Sequence, residues 1–112
     1  METLVETVGN IAVLLVEGES LDASNSREFK RSAMAALQGH SRLVFDLSGL
    51  EFVDSSGLGA ILSCLRQLNA SGGDLKLCGM TKPVRALFEL VRMHRIFDIF
   101  GTREDAIKSF LN

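Results

Sequence analysis

The apolar positions of this chain fall into short runs that alternate with stretches of helical spacing. Residues 4–8 and 11–16 read as two strands, and Gly9-Asn10 between them is a two-residue hairpin turn. Residues 11–16 are apolar throughout, the pattern of a strand covered on both faces. A polar connection, Gly18 to Ala23, leads into a helix that starts near Ser24 or Asn25. Asn25 with Glu28 resembles a capping box, and Phe29, Ala33, Ala36 and Leu37 follow at helical spacing. Residues 43–47 form the next apolar run, the expected middle strand of a central sheet. A short stretch through Leu50, Phe52 and Val53 then reaches a turn at Asp54-Ser55-Ser56-Gly57. Leu58, Ile61, Leu62, Leu65 and Leu68 make the stripe of a second helix, which Ser71-Gly72-Gly73 ends. Residues 75–78 predict a strand. Thr81 and Pro83 open a third helix with Val84, Leu87, Phe88 and Val91 on its apolar side. Residues 96–100 predict a last strand. Thr102, with Asp105 three residues on, caps a final helix that turns Ala106, Ile107, Phe110 and Leu111 inward. The order β-β-α-β-α-β-α-β-α implies an α/β fold, with a mixed, mainly parallel sheet, an N-terminal hairpin and about four helices.

At 112 residues and 46% hydrophobic, the chain is expected to form one domain, residues 1–112, with a real core. The net charge of −2, seven Phe, no Trp and no Tyr argue against nucleic acid as a direct partner. The N-terminus lacks the pattern of a signal peptide, and no apolar run is long enough to span a bilayer. Cys64 and Cys78 sit inside predicted elements without a second ligand pair, so buried thiols are expected rather than a disulfide or a metal site.

The densest chemistry lies in Asp54-Ser55-Ser56-Gly57-Leu58-Gly59, at a strand-to-helix turn. Free amides and the helix dipole make that place receptive to an anion. A serine there is either an N-cap or an exposed phosphoacceptor, and two in a row allow both. Enzyme signatures fail. Gly57-Leu58-Gly59-Ala60-Ile61-Leu62 puts leucine where a dinucleotide loop needs its third glycine. No P-loop exists. A nucleophile elbow needs glycine two residues before the serine, where Val53 and Asp54 stand. Nothing places His40 or His94 beside the serines as a base. A phosphate-accepting receiver domain is disfavoured by the opening hairpin and by the lack of lysine in residues 99–103. Lys82, Arg85, Arg92 and Arg95 read as a solvated face, or as a docking surface for an acidic partner.

The block Phe52-Val53-Asp54-Ser55-Ser56-Gly57-Leu58-Gly59 resembles the Asp-Ser-Ser/Thr/Ala-Gly-Leu-Gly block of STAS-domain anti-sigma factor antagonists. The strand ending in Asp46-Leu47-Ser48 and the segment Gly18 to Asn25 also resemble that family, the latter with a shifted pattern. The resemblance covers essentially the whole chain and implies a STAS fold and a cytoplasmic, non-catalytic, cofactor-free protein. It further implies partner switching. The unphosphorylated form would bind an anti-sigma factor that is also a serine kinase. Phosphorylation at Ser55 would release it, and a metal-dependent serine phosphatase would reset it. Asp54, Ser55, Ser56, Gly57, Leu58 and Gly59 would form the partner-binding surface. The alternative in the same fold is a non-catalytic subunit of a transporter or sensory complex.

Overall fold

The computed structural model describes residues 3–111, apart from the side chain of Leu37; Met1, Glu2 and Asn112 lie outside the described residues. In chain order the elements are β1 (Thr3–Val8), β2 (Ile11–Val16), β3 (Ser20–Leu21), α1 (Ser26–Leu37), β4 (Arg42–Asp46), β5 (Phe52–Val53) and α2 (Ser55–Ala70). They continue with β6 (Asp74–Cys78), α3 (Lys82–Leu90), a 3₁₀ turn (Met93–Arg95), β7 (Asp98–Phe100) and α4 (Arg103–Leu111). The main sheet has five strands in the order β1-β2-β4-β6-β7, with β4 in the middle as the pattern predicted. Only β1 and β2 pair antiparallel; β2, β4, β6 and β7 run parallel. This is the mixed, mainly parallel α/β architecture with an N-terminal hairpin that the sequence implied.

The middle strands are apolar because both faces are covered. On one face Leu14, Phe45, Leu77 and their neighbours pack with Phe29 and Ala33 of α1, Ile61, Cys64, Leu65 and Leu68 of α2, and Val84 and Phe88 of α3. Phe29 meets Phe45 edge-on, with ring centroids 5.5 Å apart. On the other face Ile11, Val13, Val44 and Cys78 pack against Ala106 of α4, with Phe100, Ile107 and Phe110 at the margin. Cys64 and Cys78 are both buried, and burial pushes each thiol up to about 12, so neither forms a reactive thiolate near neutral pH.

Several expectations needed correction. The stretch around Phe52 is a strand of its own, β5, which pairs with β3 in a separate two-stranded sheet. Two residues are too short to leave a periodic signature. The buried face of α2 comprises Gly57, Ala60, Ile61, Cys64, Leu65 and Leu68, whereas Leu58 and Leu62 are only half-buried at its edge. A stripe of leucines marked the right side of the helix but missed the small residues that bring it close to the sheet. Asn25 forms no capping box. Its amide oxygen accepts from the Asp22 N–H at 2.9 Å, and its Nδ2 donates to the Ser20 carbonyl at 2.9 Å, which closes the connection before α1. Thr81 does not cap α3 with its side chain; its hydroxyl donates to the Leu50 carbonyl at 2.7 Å and ties α3 to the loop before β5. Val91 is exposed beyond the end of α3. The last strand starts at Asp98 because the amides of Ile96 and Phe97 donate to Met93 and complete the 3₁₀ turn. Thr102 does cap α4, accepting from the Asp105 N–H at 3.1 Å, but Leu111 is 67% exposed.

Among the described residues two charged groups are buried, both on the α4 side of the sheet: Asp46 and Lys76. Arg103 donates to Asp46 Oδ2 from Nη2 at 2.9 Å and from Nε at 3.2 Å, and to Glu6 Oε2 from Nη1 at 2.9 Å. Lys76 Nζ donates to Ser109 Oγ at 2.8 Å and lies 4.5 Å from the centre of the Phe110 ring. These contacts anchor both ends of α4. Burial alone raises the pKa of Asp46, but hydrogen bonds from Arg103 and the Ser48 amide outweigh it and hold the carboxyl below its ordinary value.

Two predictions follow from the packing. Ile61→Ala removes a fully buried side chain of α2 and is expected to cost about 2–5 kcal/mol. Leu62→Ala, at the half-buried margin, is expected to cost less; urea unfolding of the pair checks the order. A carboxylate with a depressed folded pKa stabilises the fold above its unfolded value, about 3.9. That stability is lost as pH falls through the lower folded value. Asp46→Asn should therefore destabilise the protein at neutral pH and flatten the loss of stability below about pH 4. Thermal melts across pH 2–7 measure both effects.

Candidate functional site

The serine block lies where β5 hands over to α2, beyond the carboxyl ends of the parallel strands. Ligands and partners of parallel α/β sheets commonly meet such an edge. The local geometry is set by Asp54. Its backbone is extended, with φ −99° and ψ −173°, and it is the N-cap residue of α2. Its Oδ1 accepts from the Gly57 N–H at 2.9 Å, and its Oδ2 accepts from the Ala23 N–H at 3.2 Å. Its own N–H donates to the Leu21 carbonyl at 3.2 Å. The carboxylate thus satisfies a helix amide with one oxygen and joins a second segment of chain with the other.

The supporting segment is ordered in turn. The amides of Glu51 and Phe52 both donate to the Glu19 carbonyl, at 2.7 and 3.1 Å. Asp22 accepts from the Ser24 N–H at 2.9 Å and from the Ser20 hydroxyl at 3.2 Å. Bonds from the Ser24 hydroxyl and amide hold the Asp22 carboxyl below its ordinary pKa. Residues 18–25 therefore form the shelf on which the start of α2 rests.

With Asp54 as the cap, neither serine has that role. Ser55 and Ser56 are both exposed, and among the described residues neither hydroxyl forms a hydrogen bond with the protein. The choice that the sequence left open, cap or exposed acceptor, is resolved in favour of exposure for both. Leu58 is half-buried and Gly59 exposed. Gly57 differs from the others. It is buried, and a Cβ there would lie 2.4 Å from the Leu21 carbonyl oxygen and 2.9 Å from Val53 Cγ1. The close approach that this glycine permits is made by the chain's own β3. At Gly59 a Cβ would meet nothing within 4 Å.

The structure brings neither histidine to the serines. His40 lies just before β4 and Ser55 beyond its far end, so the length of a five-residue strand separates them. His94 is in the 3₁₀ turn that precedes β7, again at the amino ends of the parallel strands. The serine–histidine pairing that activates a nucleophilic hydroxyl is therefore not formed by either histidine. Among the described residues no group of His, Cys, Asp and Glu is placed to hold a metal ion. No helix is long and apolar enough to cross a membrane.

The sequence matches the STAS domain family over residues 2–106. The chain belongs to that family. Among its relatives is BtrV of Bordetella bronchiseptica, named as an anti-sigma factor antagonist, which is 27% identical over 98% of this chain and 95% of its own length. The anti-sigma F factor antagonist of Paenibacillus polymyxa is 29% identical, over 87% of this chain and 84% of its own. The fold is that of the Bacillus anti-sigma factor antagonist SpoIIAA. The unphosphorylated form superposes with a TM-score of 0.80 at 24% identity, over 97% of this chain and 96% of that one. The phosphorylated form superposes with a TM-score of 0.73 at 23% identity, over 97% and 99%.

The STAS block thus contains two glycines with opposite demands, which gives a paired prediction. Gly57→Ala drives a methyl group into a backbone carbonyl and is expected to destabilise by about 1–3 kcal/mol or more. Gly59→Ala enters open space within the same helix and should stabilise by roughly 0.5–1 kcal/mol. Chemical denaturation of the two variants should show shifts of opposite sign.

Proposed function

We propose that this STAS protein is an anti-sigma factor antagonist that works by partner switching, with Ser55 as its phosphoacceptor. Residues 1–112 act as one non-catalytic, cytoplasmic domain. The unphosphorylated form binds an anti-sigma factor that is also a serine kinase. Phosphorylation of Ser55 breaks the complex, and a metal-dependent serine phosphatase restores it. The observation that carries this reading is the exposed, unengaged Ser55 hydroxyl on the first residue of α2, beside a cap already provided by Asp54. The relatives named as anti-sigma factor antagonists support the role.

The partner surface comprises Asp54, Ser55, Ser56, Leu58 and Gly59, with Gly57 beneath them as the residue that seats the helix. A phosphate adds about −1.5 to −2 charges. At Ser55 it stands next to the Asp54 carboxylate. Like charges brought together in an interface cost several kcal/mol. Each 1.4 kcal/mol is tenfold in affinity.

The expected result is a loss of partner affinity of roughly a hundredfold or more on phosphorylation of Ser55. Ser55→Asp should weaken binding in the same direction but less, since one carboxylate carries less charge than a phosphate. Ser55→Ala should bind and stay bound in the presence of ATP. Titration calorimetry with the three forms measures this. Equal affinities of unmodified and phosphorylated protein would end the switch and favour a constitutive subunit. Phosphate retained in Ser55→Ala would move the acceptor to another residue.

A further inference from the structure

A groove of about 320 Å³ runs between α1 and α2 beside the serine block, lined by Ser26, Arg27, Lys30, Ser56, Gly59, Ala60 and Ser63. Its only charged lining residues are the two cations. The ion pairs among the described residues engage Arg103, Lys76 and Arg85, and neither Arg27 nor Lys30 has a carboxylate partner among them. Two unpaired cations facing a row of hydroxyls, in a chain of net charge −2, form a local concentration of positive potential.

The helix geometry makes the two serines inequivalent. Residues three, four and seven apart share a face of a helix. Ser56 shares its face with Gly59, Ala60 and Ser63, which line the groove. Ser55 is turned about 100° from Ser56, onto the side of Leu58 and Leu62, and does not line the groove.

We propose that the groove is a phosphate receptor in cis: a phosphoryl group carried on Ser56 is held by Arg27 and Lys30. This rests on the reading of the start of α2 as a kinase substrate. In the modification step Ser56 Oγ forms a bond to the γ-phosphorus of a nucleoside triphosphate. The bond from that phosphorus to the nucleoside diphosphate breaks, and the hydroxyl proton passes to a base of the kinase. The product dianion then faces a guanidinium and an ammonium across the groove, the pairing that such groups favour. Backbone amides of Ala23 and Gly57 hold the Asp54 carboxylate, and Asp54 does not line the groove. The adjacent serines therefore give two different products. A phosphate on Ser55 projects from the surface as an unpaired charge, and one on Ser56 links α1 to α2 and is neutralised in place.

The test installs phosphoserine at position 56 or position 55 by suppression of an amber codon, which requires neither kinase nor partner. Phosphorus NMR titration then reads the second pKa of each phosphate. At Ser55 it should lie near the free value of about 6. At Ser56 it should fall to roughly 5.5 or below, because the cations favour the dianion. Arg27→Gln with Lys30→Gln should return the Ser56 value to that of Ser55 and leave Ser55 unchanged. Arg27→Lys, which keeps the charge, should preserve most of the difference. Equal values at the two positions, or a lowered Ser56 value that survives the double substitution, would overturn the receptor. Either result is independent of the partner affinities that test Ser55 as a switch.

Discussion

The candidate site depends on one carboxylate with two obligations. Asp54 accepts from the Gly57 amide and from the Ala23 amide. An N-cap contributes only about 1 kcal/mol, so its weight here lies in position more than in energy. The first bond fixes where α2 begins. The second bond fixes that beginning against residues 18–25. The Leu21 carbonyl, which accepts from the Asp54 amide, is also the atom that excludes a Cβ at Gly57. Cap, close packing and the β3–β5 ladder are therefore a single arrangement. Its consequence is chemical: two serines stand at a helix start and neither is needed there to satisfy the backbone.

The opposite side of the sheet uses charge in a different way. Asp46 and Lys76 are buried under α4, and each is paired and hydrogen-bonded. Such pairs add little net stability compared with apolar packing, but breaking one leaves an uncompensated buried charge. They specify where α4 docks. Arg103 extends the specification to the hairpin through Glu6, which lies on the exposed edge strand β1. The buried charges are thus held under α4, whereas Arg27 and Lys30 lie on the other helical layer beside the serines.

The large features of this fold are written in its pattern. Residues 11–16 are apolar without interruption, and residues 43–47 and 75–78 are apolar apart from Asp46 and Lys76, because helices cover both of their faces, and the sheet places them side by side. The hairpin was legible from Gly9-Asn10, where Gly9 adopts φ +61°. What escaped was carried by contacts between distant residues. No local pattern says that Asn25 will close the loop before its helix instead of capping it, or that Thr81 will reach the Leu50 carbonyl. The resemblance of the serine block located the site, but it left the cap assignment open. That assignment depends on Ala23, thirty-one residues earlier. The Asp22-Ala23 of the segment before α1 was the available signal, since that segment resembles, with a shifted pattern, the family's region before its first helix. The groove cations had no sequence signal at all, because the i, i+3 spacing of Arg27 and Lys30 is common to any solvated helix.

The same anchoring of Asp54 by two amides bears on how a phosphate at Ser55 would act. A flexible carboxylate could swing away from a new dianion and relieve the repulsion within the molecule. Asp54 cannot do so without giving up an amide of α2 or of the 18–25 shelf, and a lost hydrogen bond to a charged group costs about 1.5–3 kcal/mol. Exposed to water, the isolated protein has a cheaper course. The phosphate remains hydrated, the nearby helix amides favour it, and the cap stays intact. Bound to a partner, that course is closed, because hydration must be surrendered at the interface while Asp54 stays in place. On the proposed reading the added charge would therefore be tolerated by the fold and opposed by the complex, which is the asymmetry that a partner switch requires.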